Sequence, residues 1–356
     1  MDIFTPDNNI TGNIYHAIKA IYSDTVSAVV INNVLTDWFI TESGVRQGDN
    51  LSPTLFALYL NDLVLDINSQ NLGVAFGNSR ISVLLYADDI VLISENETNL
   101  QKMLTIIDKW CSKWQMKVNP DKTKVIHFRK QKKKETNYKF QIGEKEIGKV
   151  SCYKYLGVLF DQHLTFKNCA ASLSESAGRS LSSIISKFPS LTNSKIDYNS
   201  FTKLYTSCVR PILDYGASIW GFNNEKFGQR IQDRAIRYYL GVHRFTPIPG
   251  LHSEMGWLNI KFHHFLCMLR YWNRLMKMDS NRLTRKIFEY DFTHVETSNW
   301  SGNILLIAEK LQMEDVLLKG ELFDLSYAQE KLFSLMQEEW AEKIPTMLKI
   351  KILCKI

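Results

Sequence analysis

Two short apolar runs, Ile81–Leu85 and Ile90–Ile93, flank the tetrapeptide Tyr86-Ala87-Asp88-Asp89 with no glycine or proline between them. Runs of this length, rich in β-branched residues, predict a hairpin of two buried strands. Its tip nevertheless carries two adjacent carboxylates. Burying unpaired carboxylates is costly, so they need a partner such as metal ions, unless they only serve the local hydrogen bonding that favours Asp in turns.

The pattern on either side is regular. Apolar spacing predicts a helix over Ile14–Tyr22, then a hairpin of Ser27–Ile31 and Leu35–Thr41 about Asn32-Asn33. The loop Gly44-Val-Arg-Gln-Gly-Asp-Asn-Leu-Ser-Pro53 follows, its glycines letting backbone approach a ligand. Ser52 reads as an N-cap and Pro53 as a first helical residue. Leu55, Phe56, Tyr59, Leu60, Leu63, Val64 and Ile67 then share one helix face. Beyond the hairpin, Ser94 and Glu97 have capping-box spacing, and Leu100, Met103, Leu104, Ile107, Trp110, Cys111 and Trp114 form a second helical stripe. The chain reverses at Val118–Lys122 and continues as a strand, Thr123–Phe128. Lys139–Val150 reads as a small hairpin, and Tyr153–Phe160 as a strand with Gly157 at its middle, where a glycine marks close approach by backbone or ligand.

After residue 161 the texture is helical. Helices are predicted from about Leu164 through Phe188, over Tyr198–Val209 ending near Pro211, and over Glu225–Leu240, Ile260–Met278, Ile304–Val316 and Ala328–Glu342. Residues 280–356 are weakly patterned and end in a short amphipathic tail from Leu348. The order of elements gives an α+β class, with helices packed on a mainly antiparallel sheet, followed by a helical region.

Composition narrows this picture only slightly. The 356 residues are 45% hydrophobic and 22% charged, an ordinary globular balance. A net charge of +6 is compatible with a nucleic-acid partner without requiring one. The basic run Arg129–Lys134 reads as a solvated loop, or as a phosphate-contacting patch. Six scattered cysteines without CxxC spacing point away from a zinc site and from a disulfide framework. His263-His264 with Cys267 is the only His/Cys cluster; His263 and Cys267 would share a helix face, and the plain reading is a helix with polar ends. No signal peptide and no membrane-length apolar run is present, so an intracellular, soluble protein is expected.

The motifs in this order, Gly44–Pro53 opening a helix, Tyr86–Asp89 on a hairpin, Asn119-Pro-Asp-Lys-Thr-Lys124 after a helix, and Tyr155-Leu-Gly157 on a later strand, resemble the palm and thumb of a reverse transcriptase, closest to the non-LTR (LINE-type) retrotransposon polymerases. Arg210-Pro-Ile-Leu-Asp-Tyr-Gly-Ala-Ser-Ile-Trp220 is similar to the region these elements carry after the palm. The resemblance implies an RNA-directed DNA polymerase acting on an RNA template, a DNA primer or RNA–DNA hybrid, and dNTPs, by two-metal nucleotidyl transfer with Mg2+ or Mn2+. Asp88 would be a catalytic metal ligand and Asp89 a ligand or support. Arg46, Gln47, Gly48, Tyr86, Lys122 and Lys124 would line the nucleotide and template pocket. Tyr155, Leu156 and Gly157 would form the primer grip. A nuclear or cytoplasmic site of action is implied as well. The corresponding division is 1–160 partial palm, 161–280 helical thumb, and 281–356 a helical region of unassigned role.

One departure from the family pattern stands out. The first metal-binding segment, an apolar strand ending in Asp ahead of the helix at Ile14, has no counterpart: Asp2, Asp7, Asp24 and Asp62 all lie outside such a strand. The fingers lack a counterpart too. The expectation is an incomplete palm, truncated at its N-terminus, with weak or no polymerase activity by itself and with exposed apolar surface where a strand is lacking. A nucleic-acid-binding remnant or a non-functional relic is the alternative.

Overall fold

The computed structural model describes residues 10–41, 44–191, 196–296 and 299–343; the amphipathic tail from Leu348 lies outside the described residues. The chain divides into two compact units, residues 1–125 with 137–148, and residues 126–136 with 149–356.

In the first unit, helix α1 (Gly12–Tyr22) leads into a hairpin whose pairing is interrupted midway: β1 (Val26–Ser27) and β2 (Val30–Ile31) pair with β4 (Phe39–Ile40) and β3 (Val34–Leu35). Asn32 and Asn33 both adopt positive φ, 50° and 63°, the backbone of a two-residue hairpin turn. This hairpin is strongly apolar and open to solvent, with Val34 68%, Trp38 65% and Ile40 71% exposed. Helix α2 (Ser52–Ser69) buries Leu55, Tyr59, Leu60, Leu63 and Ile67, as its stripe predicts. Ser52 does not act as the N-cap. Leu51 occupies that position, and the Ser52 hydroxyl donates instead to the Arg46 carbonyl at 2.6 Å.

Two further hairpins follow, β5 (Val74–Phe76) with β6 (Ser79–Ile81), and β7 (Val83–Tyr86) with β8 (Asp89–Leu92). Helix α3 (Glu97–Lys113) is capped by Asn96, whose side chain accepts from the Asn99 amide at 2.9 Å. The predicted Ser94/Glu97 capping box is therefore displaced by one better-placed residue. The stretch Thr123–Phe128 is not a strand; only Val125 bridges, donating its amide to the Gly148 carbonyl. Hairpin β9 (Phe140–Ile142) and β10 (Lys145–Ile147) completes the unit. Its core joins α2, α3, Val125, Phe140, Ile142 and Ile147, with Tyr59 wedged edge-on against Trp110 and Trp114 at 5.3 Å each.

The α+β class holds, but the continuous sheet does not. All six pairings among the described residues join two strands only. Strands of two to four residues carry few ladder bonds; β7–β8 and β9–β10 are held by the α2–α3 core beneath them, whereas the hairpin of β1 to β4 stays exposed.

The second unit opens on another correction. Tyr153–Phe160 is not one strand but a hairpin, β11 (Cys152–Tyr155) and β12 (Val158–Asp161), turning at Leu156-Gly157. At the end of β12, Asp161 accepts from the amides of His163, Thr165 and Phe166 and from the Thr165 hydroxyl, fixing the start of helix α4 (Lys167–Leu191). Helix α5 (Tyr198–Leu204) runs into a π turn at Tyr205–Val209 and then α6 (Arg210–Leu213). The predicted stop near Pro211 is thus bypassed. Proline lacks the N–H for its helical bond and crowds the preceding turn, and the widened π turn just upstream absorbs both effects.

Then come α7 (Ala217–Trp220), α8 (Glu225–Leu240), α9 (Ile248–Met255) and α10 (Ile260–Met276). Residues 280–343, weakly patterned in sequence, form α11 (Leu283–Thr293), α12 (Trp300–Leu311), α13 (Glu314–Leu318) and α14 (Leu325–Lys343). They close around α10, whose fully buried Trp272 meets Phe288, Phe292 and Phe323. A second core lies among α4, α5, α8 and α9. It contains a buried polar network: Asp233 Oδ1 lies 2.9 Å from His252 Nε2 and accepts from Gln229 Nε2 at 2.7 Å, while His252 Nδ1 lies 3.3 Å from the Trp257 carbonyl.

Candidate functional site

The Tyr86–Asp89 hairpin is shaped by its register. Val83 pairs with Leu92 and Leu85 with Ile90, and these four side chains pack onto the α2–α3 core. The alternate positions, Leu84 with Val91 and Tyr86 with Asp89, face away from it. Helices cover only one face, so the strands are half-buried rather than buried as predicted, with Leu84 37% and Tyr86 63% exposed. Asp88 sits at the tip and Asp89 beside Tyr86, both exposed.

The turn between them is strained. Ala87 has φ 51°, a left-handed conformation that costs a residue with a Cβ about 1–2 kcal/mol. Strain held at a carboxylate-bearing tip is the kind of feature that clusters at functional sites. Relieving it in Ala87→Gly is expected to raise stability by about 0.5–1 kcal/mol, the greater freedom of unfolded glycine offsetting part of the gain. A urea midpoint that falls in this variant would show that the turn is unstrained.

Two exposed, adjacent carboxylates are hard oxygen donors of the kind Mg2+ takes. Among the described residues, no third Asp, Glu, His or Cys completes a cluster with them.

The loop before α2 is tied down at several points. The Arg46 guanidinium donates to the Ile21 carbonyl at 2.6 Å, near the end of α1, and lies 5.6 Å from the Tyr22 ring. The Tyr22 hydroxyl donates to Asp49 Oδ2 at 3.0 Å and lies 3.1 Å from Ser52 Oγ. The Leu51 amide and then the Tyr22 hydroxyl hold the Asp49 carboxyl below its ordinary range. Gln47 and Gly48 stay exposed at the tip, Gly48 at φ 87° with open space where a Cβ would stand. Tyr22 and Asp49 shape this loop without any local sequence signal, since their contact spans 27 residues.

Lys122 is exposed on a turn built by Asn119, whose side chain accepts from the amides of Asp121 and Lys122. Lys124 is half-buried, its Nζ close to Gly148.

Tyr155, Leu156 and Gly157 lie in the second unit, at the β11–β12 turn. Leu156 and Gly157 both have positive φ, 45° and 86°. The glycine does mark a close approach, but by a side chain. The Tyr215 hydroxyl donates to the Leu156 carbonyl at 2.6 Å, and a Cβ on Gly157 would stand 2.9 Å from the Tyr215 ring. Gly157→Ala is therefore expected to cost about 1–3 kcal/mol, and less in a Tyr215→Ala background, as read by urea denaturation. Equal costs in both backgrounds would remove the clash from the explanation. Nearby, the Arg129–Lys134 run is a solvated loop: residues 130–134 are exposed, while Arg129 folds inward to Gln162 Oε1 at 2.7 Å.

Residues 5–160, which include every one of these candidate positions, match the family described as reverse transcriptase (RNA-dependent DNA polymerase). The chain is 26% identical over 252 residues to a probable RNA-directed DNA polymerase from transposon BS of Drosophila melanogaster, covering 68% of this chain and 27% of the relative. It is 24% identical over 223 residues to the RNA-directed DNA polymerase from mobile element jockey of Drosophila funebris, covering 60% and 23%. To the retrovirus-related Pol polyprotein from type-1 retrotransposable element R2 of Nasonia vitripennis it is 31% identical over 154 residues, covering 41% and 15%. The chain thus spans at most about a quarter of the length of these relatives.

Proposed function

We propose that this polypeptide, whose residues 5–160 match the reverse transcriptase family and which is similar to non-LTR retrotransposon polymerases, carries part of the active site of an RNA-directed DNA polymerase. The observation that carries the reading is the Tyr86–Asp89 hairpin, which offers two adjacent exposed carboxylates on a strained turn seated on a helical core. Asp88 and Asp89 would hold divalent ions, Mg2+ or Mn2+, which when bound supply charge stabilisation for the attacking 3′-oxygen and the leaving pyrophosphate. Lys122 and Lys124 would offset charge on the incoming dNTP. Gln47 and Gly48, at the tip of the loop that Arg46 ties to α1, would present backbone and amide to the template and nucleotide. Tyr155, Leu156 and Gly157 would grip the primer end.

The division into a partial palm over 1–160, a helical thumb over 161–280 and a helical region over 281–356 belongs to the same proposal. For the thumb, support comes from α4 and α8, which expose Arg179, Arg230 and Arg234, suited to the backbone of an RNA–DNA duplex. No helix among the described residues is long and apolar enough to cross a membrane.

A second reading, retained nucleic-acid binding with little catalysis, is favoured by the pairing of only two carboxylates at the hairpin among the described residues. Two acids hold two closely spaced cations poorly. Primer extension on an RNA template with Mg2+ and dNTPs, run beside salt-dependent binding of an RNA–DNA hybrid, separates the two. Extension that depends on Asp88 supports the polymerase; hybrid binding without extension supports the remnant; the absence of both overturns the proposal.

A further inference from the structure

We infer that the second unit contains a divalent transition-metal site of the zinc class, built from Asp214, His263 and Cys267 and independent of the polymerase reading. Asp214 stands in the turn that follows α6. Helix α10 carries His263 and Cys267 four residues apart, on one face. One carboxylate oxygen, one imidazole nitrogen and the sulfur all lie within 4.8 Å of one another. His263 Nε2 is 2.8 Å from Asp214 Oδ2.

A separate observation points to the same place. His264 is only 2% exposed, and its Nδ1 is buried without a hydrogen-bond partner. Its Nε2 lies 3.5 Å from Asp214 Oδ1, an ion-pair distance. A buried imidazole thus backs one oxygen of the carboxylate, and Oδ2, beside His263 Nε2, is the oxygen left for a cation. This is the kind of outer support that metal-bound carboxylates ordinarily have.

The donor set selects the ion. Mixed N, O and S ligands suit Zn2+, whereas Mg2+ and Ca2+ take oxygen. Three protein ligands leave a fourth position for water. As the metal–sulfur bond forms, the thiol proton passes to solvent. The bound ion would pin the Asp214 turn to α10. The scattered cysteines concealed this arrangement, because Asp214 reaches α10 across 49 residues.

The test uses the full chain, stripped with chelator and titrated with Co2+ in excess Mg2+, which keeps Asp88 and Asp89 silent. One Co2+ per chain is expected, with a thiolate-to-cobalt charge-transfer band, displaced by Zn2+. Cys267→Ser should abolish the band. His263→Gln and Asp214→Asn should weaken binding more than about tenfold, while Cys208→Ser, at an exposed cysteine, should change nothing. Circular dichroism of each metal-free variant checks its fold, and His263→Gln carries the test if Cys267→Ser does not fold. No charge-transfer band in the parent protein, a band surviving in Cys267→Ser, or unchanged affinity in His263→Gln overturns the site.

Discussion

Asp88→Asn is expected to reduce RNA-templated primer extension by about 1,000-fold or more. The substitution keeps the shape of the side chain but removes the negative charge that would hold a cation beside the reacting oxygens. A metal ion at that position supplies several kcal/mol of transition-state stabilisation, and each 1.4 kcal/mol is a factor of ten in rate. Asp89→Asn should fall short of this, because Asp89 sits across from Tyr86 in the ladder rather than at the tip. Neither change should alter the unfolding free energy, read by urea denaturation, by more than about 0.5 kcal/mol, since both side chains are exposed. Extension by the 356-residue polypeptide is expected to be slow, so enzyme in excess of primer is the suitable regime. Mn2+ binding, measured by paramagnetic relaxation, gives a second readout that does not depend on turnover. Equal extension and equal Mn2+ affinity in Asp88→Asn and the parent protein would falsify the hairpin as a metal site.

The largest stability effect is expected at Asp233, far in character from the exposed hairpin. Asp233 is 5% exposed and His252 1% exposed, and Gln229 bonds to both. Asp233→Ala removes the acceptor shared by an imidazole and an amide inside an apolar core, leaving both polar groups without it. Breaking a buried pair of this kind typically costs about 3–5 kcal/mol, enough to remove a large share of a domain's net stability. The paired replacement Asp233→Leu with His252→Leu should cost less than Asp233→Leu alone, because it leaves fewer orphaned groups. Urea denaturation of Asp233→Leu, His252→Leu and the double variant measures this directly. A double variant as unstable as the sum of its parts would mean that the network is not coupled.

How much of this was legible in the chain depended on range. Helices α2, α3 and α8 follow from stripes at helical spacing, because burying one face is a local demand on the sequence. The Asn32-Asn33 turn was legible because asparagine tolerates positive φ. The hairpin at Leu156-Gly157 was misread as a strand, since a leucine at φ 45° gives no local sign of a turn; Tyr215, 59 residues away, bonds to the carbonyl that it exposes. Helix α9 was missed because Pro249 and Gly250 inside it suggest a turn, although its Leu251 and Met255 are buried in the core shared with α8.

The sequence by itself carried the likeness of residues 5–160 to reverse transcriptases and supplied the candidate site residues. Those are carried by residue type and order, and the chemistry of carboxylate, lysine and glycine does not depend on distant contacts. Only the tertiary structure decided that the strands remain separate hairpins, that one face of Tyr86–Asp89 stays open, and that Tyr22 and Asp49 hold the loop at Arg46. It alone brought Asp214 to His263 and Cys267. Each of these rests on contacts between residues far apart in the chain, and such contacts leave no periodicity for a sequence to display.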